Sequence, residues 1–167
     1  MEEVMGDAGL THGGFYAHFK SKDDLLLEAL EHASAQTIER FSTVLAKVPA
    51  ERHVHELIDR YLSPGHAAHP EMGCPVAALG PELARAGGPR RQRLARGIRR
   101  RIEWMRGLLP AKAKRGRGSD PAIGVLACMI GGMILARAVG ERESAAVLEA
   151  TREFLHSSLS DKESSSK

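Results

Sequence analysis

Apolar residues recur at intervals of three and four along most of the chain, and this spacing restricts the fold more than any other feature. After Ser21, for example, the pattern runs through Leu25, Leu26, Leu30 and Phe41. Such a period is typical of α-helices with one buried face. β-Branched residues are sparse, and no window of six residues alternates cleanly between apolar and polar side chains. The sequence therefore predicts an all-α protein.

Caps and helix breakers set the boundaries of the predicted helices. Ser21 begins a capping box that closes at Asp24, and Asp120 followed by Pro121 is a good cap with a good first helical residue. Pro81 is expected to kink or shorten its helix. The predicted helices are Met1 to Ala8, Thr11 to Phe19, Ser21 to Lys47, Val54 to Leu62, Pro75 to Ala86, Pro89 to Leu109, Pro121 to Val139 and Ser144 to Leu159, with a polar loop up to Gly73 and a basic loop from Lys112 to Ser119.

Length and composition fit one or two compact domains, because 43% of the 167 residues are hydrophobic. The longest uncharged stretch, Pro121 to Ala136, has 16 residues, fewer than the roughly 20 that a membrane-spanning helix needs. The acidic N-terminus does not resemble a signal peptide. We therefore expect a cytoplasmic protein with no membrane segment. Cys74 and Cys128 are expected to be reduced thiols.

The charges are distributed unevenly. Arg85 to Arg117 holds 13 basic residues and one acid, Glu103, for a net charge of +12, whereas the rest of the chain has 11 bases and 20 acids, or −9. A basic block of this kind can meet nucleic acid, an anionic membrane or an acidic ligand. It is also the pattern of a solvated helix face, since apolar residues between the arginines predict an amphipathic helix. The sequence leaves its role open.

The first residues predict two short helices joined by a tight turn. Gly9 can adopt the left-handed conformation that such a turn requires, and Thr11 can cap the second helix. Apolar side chains that can pack these helices together are Val4, Met5, Leu10, Phe15 and Phe19. This pattern is typical of a helix-turn-helix, whose second helix presents its first residues to DNA bases.

Residues 9–26, GLTHGGFYAHFKSKDDLL, resemble the helix-turn-helix signature of TetR-family transcriptional repressors. The resemblance covers about Met1 to Leu30, and the later helices fit the family's ligand-binding and dimerisation domain in order and length. It implies a repressor that binds operator DNA as a homodimer through Ala122 to Val139 and Ser144 to Leu159. The DNA-binding residues that it implies are Thr11, His12, Gly13, Tyr16, His18 and Lys22.

The domain organisation expected from this resemblance has three parts: a partial helix-turn-helix domain at residues 1–30, a helical ligand-binding and dimerisation domain at residues 31–159, and a disordered tail at residues 160–167. A TetR-type DNA-binding domain has three helices, and this chain begins at the second. Either the sequence is a fragment or has a mis-assigned start, or it is a naturally shortened chain that dimerises without binding DNA well. Residues 1–47 hold 8 acids and 4 bases, which is unfavourable for DNA binding.

The resemblance also implies an inducer pocket among the helices after the DNA-binding unit. Thioether and aromatic side chains suit an adaptable pocket for a small apolar or amphipathic ligand, although the same residues can be plain core. A cationic ligand is not expected, because the candidates include no acid. The candidate wall residues are Phe41, Tyr61, Met72, Cys74, Trp104, Met105, Leu108, Met129 and Met133.

Other kinds of site have less support in the sequence. His66, His69, Glu71 and Cys74 have a spacing that resembles metal ligands, but they lie in a predicted loop without fixed geometry, so we predict neither a metal site nor a cofactor. Cys74, before Pro75, can be a thiol sensor or a small packed residue. No catalytic constellation stands out, so an enzyme is not expected. The alternative to a repressor is a dimeric small-molecule-binding or adaptor protein that has lost DNA binding.

Overall fold

The computed structural model describes residues 2–7, 9, 12–110 and 120–164, except for the side chains of residues 2, 3, 12, 13, 72 and 161–164. Within these ranges the secondary structure is helical and contains no strand, which confirms the all-α prediction. The helices are α1 Glu2–Asp7, α2 His12–His18, α3 Lys22–Leu45, α4 His53–Tyr61, α5 Pro64–Ala68, α6 Pro75–Ala86, α7 Gly88–Leu108, α8 Pro121–Ala138 and α9 Glu141–Ser164, with 3-10 turns at Ala50–Arg52 and Pro70–Met72.

One hydrophobic core joins the helices from α3 to α9. Helix α8 packs along α9, α6 packs along α7, and α3 and α8 both contact α7. The centre of this core holds Ile58, Leu62, Met105, Met129 and Met133, which are almost completely buried. Removing side chains of this size from water supplies about 1.5 to 3 kcal/mol each, so this cluster stabilises the arrangement of all seven helices.

The predicted caps are present. The Ser21 hydroxyl accepts a hydrogen bond from the Asp24 amide at 3.1 Å, and Asp120 Oδ1 accepts one from the Ala122 amide at 3.0 Å. The Asp24 carboxylate bonds the amide of Lys20, one residue before the position that a reciprocal capping box uses. These short-range bonds begin α3 and α8 at the residues where the sequence predicts them.

Several boundaries differ from the prediction by a few residues, and one helix was not predicted. The expected polar loop contains α5, because Ser63 caps the His66 amide at 3.2 Å and Pro64 suits the first helical position. Helix α6 has the predicted bounds and continues through Pro81, whose ring is exposed, so Pro81 does not shorten it. Helix α7 begins at Gly88, one residue before the predicted start.

The expected disordered tail at residues 160–167 is helical as far as Ser164, where α9 ends. Leu159 is buried against the core, and the Ser160 hydroxyl donates to the carbonyl of His156 at 3.0 Å, so the last turns of α9 are held from both sides. Residues 165–167 lie outside the described residues, as does the predicted basic loop from Lys112 to Ser119.

Helix α8 is long and apolar enough to be a candidate membrane span by length and composition. The sequence prediction excluded a span because the uncharged stretch has 16 residues, whereas the helix has 18. Its packing is that of a core helix: Ala122, Met129 and Met133 are buried against other helices of the chain. Because core helices often have this composition, α8 is weak support for a membrane location.

Candidate functional site

The first two helices form the helix-turn-helix that the sequence predicts. Gly9 has φ +66°, a left-handed conformation that favours glycine, and its amide donates to the Gly6 carbonyl at 3.0 Å. Met5 of α1 and Phe15 of α2 are buried, so these two helices pack through one apolar contact. The Phe19 ring lies 5.6 Å from the Phe15 ring and joins this small core.

The predicted DNA-binding residues include three side chains that point into solvent. Tyr16 is 62% exposed, and His18 and Lys22 are exposed at the end of α2 and the start of α3. His12 and Gly13 are the first two residues of α2, and Thr11 lies outside the described residues. The structure thus brings Tyr16, His18 and Lys22 to the same end of the molecule, where hydroxyl, imidazole and ammonium groups suit phosphate contacts.

Part of the arginine-rich face of α7 is paired with α3. Arg90 Nη2 lies 2.5 Å from Asp23 Oδ1 in the first turn of α3. Arg93 and Arg100 both form ion pairs with Glu31, about two turns farther along α3. These pairs connect the helix that follows the recognition helix to the rest of the bundle. They explain one function of the basic segment that the sequence left open.

The predicted wall residues lie close together in the structure. Phe41, Tyr61, Cys74, Met105, Met129 and Met133 are buried members of one core cluster, and Trp104 and Leu108 pack against it half-buried. The indole N–H of Trp104 donates to the Ser42 hydroxyl at 3.0 Å. Phe41 also lines a cleft of about 310 Å³ between α3, α4 and α5. The Met72 side chain is outside what the structure describes.

Among the described residues, four buried polar atoms in this region have no hydrogen-bond partner: Tyr61 Oη, His66 Nε2, Arg101 Nη2 and Arg137 Nη1. Buried donors and acceptors in proteins are normally paired, because an unpaired one loses its hydration without compensation. Four such atoms from four different helices therefore mark the interior between α4, α5, α7 and α8 as a candidate binding site.

Two residues of this group were missed by the sequence analysis, Arg137 and the more deeply buried Arg101. Its side chain is 3% exposed, whereas the sequence places all the arginines of this helix on the solvent face. Its Nη1 reaches the carbonyl of Gly97 at 3.5 Å, and no carboxylate of the described chain lies within 4 Å of its guanidinium. The signal was present in the spacing, because position 101 falls seven residues after Leu94 and four before Met105, on the apolar stripe.

Arg137 and His66 meet at the Gly73 backbone. A Cβ atom at Gly73 would lie 2.9 Å from both Arg137 Nη2 and His66 Nε2, so a larger residue here would displace these two side chains. Arg137 Nη2 donates to the His66 carbonyl at 2.7 Å, and its Nε donates to the Ala67 carbonyl at 3.2 Å. The guanidinium is thus fixed by backbone bonds to α5 while Nη1 is left without a partner.

The pKa shifts in this region have physical causes that agree with its geometry. Burial raises the pKa of Tyr61 well above its ordinary value and the adjacent Cys74 adds to this effect, while the positive charges of Arg101 and Arg137 oppose it. Burial lowers the pKa of His66, and Arg137 and Arg40 lower it further, although the bond to the Tyr61 carbonyl opposes them. Both groups are therefore neutral near pH 7, within a positive local field.

The tautomer of His66 follows from the same contacts. Its Nδ1 lies 2.6 Å from the Tyr61 carbonyl, which can only accept, so Nδ1 holds the proton. The neutral ring then presents Nε2 as an acceptor. The Tyr61 ring packs edge-on against this imidazole at 4.6 Å, and Phe41 contacts both rings.

The residues with metal-like spacing are separated in the structure. His66 faces the core, while His69 is exposed and pairs with Glu71, its Nδ1 lying 3.0 Å from Oε1. No cluster of three His, Cys, Asp or Glu side chains that could hold a metal occurs within the described residues. Cys74 is buried beside Tyr61, and Cys128 is half-buried, where desolvation raises its pKa.

A helix-turn-helix followed by a helical bundle is an arrangement found in DNA-binding transcription regulators. Residues 1–29 match the family model of bacterial regulatory proteins of the tetR family, which supports a TetR-family regulator with a partial helix-turn-helix domain in this chain. The members of this family are regulators rather than enzymes, typically dimeric and bound to operator DNA. No curated protein matches the chain with significant similarity.

Proposed function

We propose that this chain is a transcriptional repressor whose release from operator DNA is triggered by a small molecule bound at the interior site between α4, α5, α7 and α8. One observation carries the proposal: α3, a helix of 24 residues and therefore about 36 Å long, runs from Lys22 beside the recognition helix to Phe41 and Thr37 at the interior site. A ligand that moves one end of this helix relative to the bundle moves the other end, where DNA is bound.

The proposed DNA contacts come from the start of α2 and the start of α3. Thr11, His12 and Gly13 face base edges, Tyr16 and His18 contact phosphates or the groove edge, and Lys22 binds a phosphate. The exposure of Tyr16, His18 and Lys22 supports these roles, because phosphate contacts orient a recognition helix on the duplex.

The proposed ligand-binding and dimerisation domain covers residues 31–159. We propose that its ligand wall consists of the nine residues expected from the sequence together with Arg101, Arg137 and His66, whose unpaired buried atoms support this assignment. Preference of the ligand for the form that does not bind DNA needs to be only a few kcal/mol, because a tenfold change in affinity corresponds to about 1.4 kcal/mol.

The proposed dimer forms through α8 and α9. Leu135 of α8 and Phe154 of α9 are 59% and 63% exposed, and Ile123, Ile134 and Val139 are further exposed apolar residues along α8 and at its end. Exposed apolar side chains on a helix pair are typical of a subunit interface, and two-fold symmetry gives a second recognition helix for the other operator half-site.

A second candidate function is a dimeric small-molecule-binding or adaptor protein without DNA binding. The observation that favours it is the net charge of −4 over residues 1–47, since DNA-binding surfaces are normally basic. This candidate keeps the same interior site and the same dimer but assigns no role to the exposed residues of α2.

Selection from a genomic-fragment library tests the proposed function. The 167-residue chain is compared with a form extended upstream to the nearest earlier start codon, and bound fragments are sequenced. We expect enrichment of a palindromic site, with tighter binding by the longer form because a third helix adds phosphate contacts. If neither form enriches any sequence while both remain folded dimers, the repressor assignment is wrong and the adaptor function replaces it.

A further inference from the structure

We infer that the ligand of the interior site is an organic anion with an apolar body, whose carboxylate is bound by Arg101 and Arg137. This inference rests on the proposed function only in treating that ligand as an inducer. The sequence predicts an apolar or amphipathic ligand and gives no reason to expect a cationic one, but it does not predict an anion.

The interior site contains buried positive charge. Arg101 is 3% exposed and Tyr61 is 4% exposed, and each has a polar atom without a partner. A buried guanidinium in a native protein is normally paired with a carboxylate, because an isolated buried charge is strongly unfavourable. The positive charge of Arg137 contributes to lowering the pKa of Glu71, but the Glu71 side chain is exposed and paired with His69. The site therefore has an excess of positive charge that a bound anion would neutralise.

The guanidinium groups of Arg101 and Arg137 have unused N–H donors that can bind a carboxylate. Arg101 lies beside Gly97, a residue that faces Ser34 of α3. Arg137 lies beside Gly73, whose carbonyl accepts from Thr37, one turn farther along α3, and the positive charges of both arginines reach Tyr61. Arg137 is held by backbone carbonyls of α5, with Nη1 as its unused donor. Planar guanidinium groups with unused N–H donors match the two oxygens of a carboxylate, and the tyrosine hydroxyl can donate a further bond.

A surface cleft next to this site has space for the apolar body of the ligand. The cleft of about 310 Å³ between α3, α4 and α5 is lined by Phe41, Val44, Gly65 and His66. It therefore extends from the surface to the imidazole of His66, which packs against Tyr61 and whose carbonyl accepts from Arg137. Its size is within the usual range for small-molecule sites. Arg40 stands at the same cleft and its positive charge favours the approach of anions, while Arg60 at this cleft is paired with Glu56. An apolar chain can lie on Phe41 while its carboxylate reaches the interior.

Thermal unfolding of the full chain with matched ligands tests this inference. The probes are octanoate, decanoate and benzoate, each compared with its primary amide, which has nearly the same shape without the charge. At ten times its dissociation constant, a bound carboxylate should raise the melting midpoint by roughly 3 to 6 °C, and we expect the amides to bind at least about tenfold more weakly. Equal shifts for acid and amide would overturn the inference, as would the failure of all three carboxylates to shift the midpoint.

Two variants locate the effect. Arg101→Met should abolish the preference for carboxylates, whereas Arg99→Met, at an exposed position of the same helix, should leave it unchanged. Without ligand, Arg101→Met should melt at the same temperature as the parent chain or higher, because it removes a buried charge that has no partner. A midpoint lowered by several degrees would show that Arg101 is needed for folding instead and would overturn its role as a ligand contact.

The outcomes separate this inference from the proposed function. If carboxylates bind through Arg101 but leave DNA affinity unchanged, the anion site is supported and the repressor mechanism fails. If acids and amides release DNA equally, the mechanism is supported and the anion site is wrong.

Discussion

The guanidinium of Arg90 in α7 lies 2.5 Å from the carboxylate of Asp23 in the first turn of α3. Asp23 follows Lys22, the proposed phosphate contact, so this ion pair ties the DNA-binding end of the chain to the arginine-rich helix. Arg101, farther along α7, belongs to the interior site. The same helix thus contacts both the ligand site and the start of α3, which provides a direct physical connection between the two.

A double-mutant cycle of Asp23→Asn and Arg90→Gln measures this connection. Both side chains are substantially exposed, so we expect a coupling free energy of at most about 1 kcal/mol in urea unfolding, and less in high salt. Loss of this ion pair should change the response of DNA binding to the ligand more than it changes the free energy of unfolding. A coupling above about 2 kcal/mol, insensitive to salt, would contradict the description of a surface pair.

The contact between α8 and α9 depends on Gly132. A Cβ atom at this position would lie 2.7 Å from Thr151 Cγ2, so Gly132→Ala should destabilise the fold by about 1 to 3 kcal/mol in urea unfolding. Gly131→Ala is the matched control, because nothing lies within 4 Å of a Cβ at that position and alanine favours a helix by up to about 1 kcal/mol. Adding Thr151→Ala should restore much of the loss. Equal effects of both glycine substitutions would show that the close approach is wrong.

Caps and helix periods could be predicted from the sequence because they depend on residues within one or two turns. Ser21 and Asp120 cap the helices they were expected to cap, and the predicted wall residues lie in one cluster. The burial of Arg101 could not be assigned in the same way, since an arginine on an apolar stripe can extend to solvent. Its position depends on the helices that cover α7, and these contacts are long-range. The end of α9 also depends on tertiary packing, through Leu159.

The neutral state of buried His66 predicts how stability depends on pH. Because its pKa in the folded chain is below the ordinary value of 6.5, the unfolded chain binds one more proton as the pH falls through 6.5. The stability contributed by the neutral ring is therefore complete above that pH and decreases below it. Between about pH 7 and 5, the free energy of unfolding should change less for His66→Gln than for the parent chain, as measured by urea unfolding at each pH.

The control for this experiment is His69→Gln, an exposed position three residues later. It should change the pH profile less than His66→Gln does. If both variants keep the parent's profile, His66 is not held neutral by the fold, and its assignment as an acceptor in the interior site is wrong.

The apolar surface of α8 and α9 predicts the effect of a charge at its centre. Leu135→Glu should give monomers in analytical ultracentrifugation, because an unpaired carboxylate in an apolar interface costs several kcal/mol. Leu79→Glu, on the exposed side of α6, should leave the dimer intact. A dimer that survives Leu135→Glu at the same concentration would place the interface on other helices.

The measurement that tests the central claim most directly is the salt dependence of DNA affinity for the parent chain, Lys22→Ala and Lys47→Ala. Lys22 lies beside the recognition helix, whereas Lys47 lies beyond the other end of α3. We predict that Lys22→Ala weakens binding and reduces the slope of log affinity against log salt by about 1, while Lys47→Ala leaves the slope unchanged. Identical slopes for all three proteins, or no salt-dependent binding at all by folded dimers, would contradict the assignment of this chain as an operator-binding regulator.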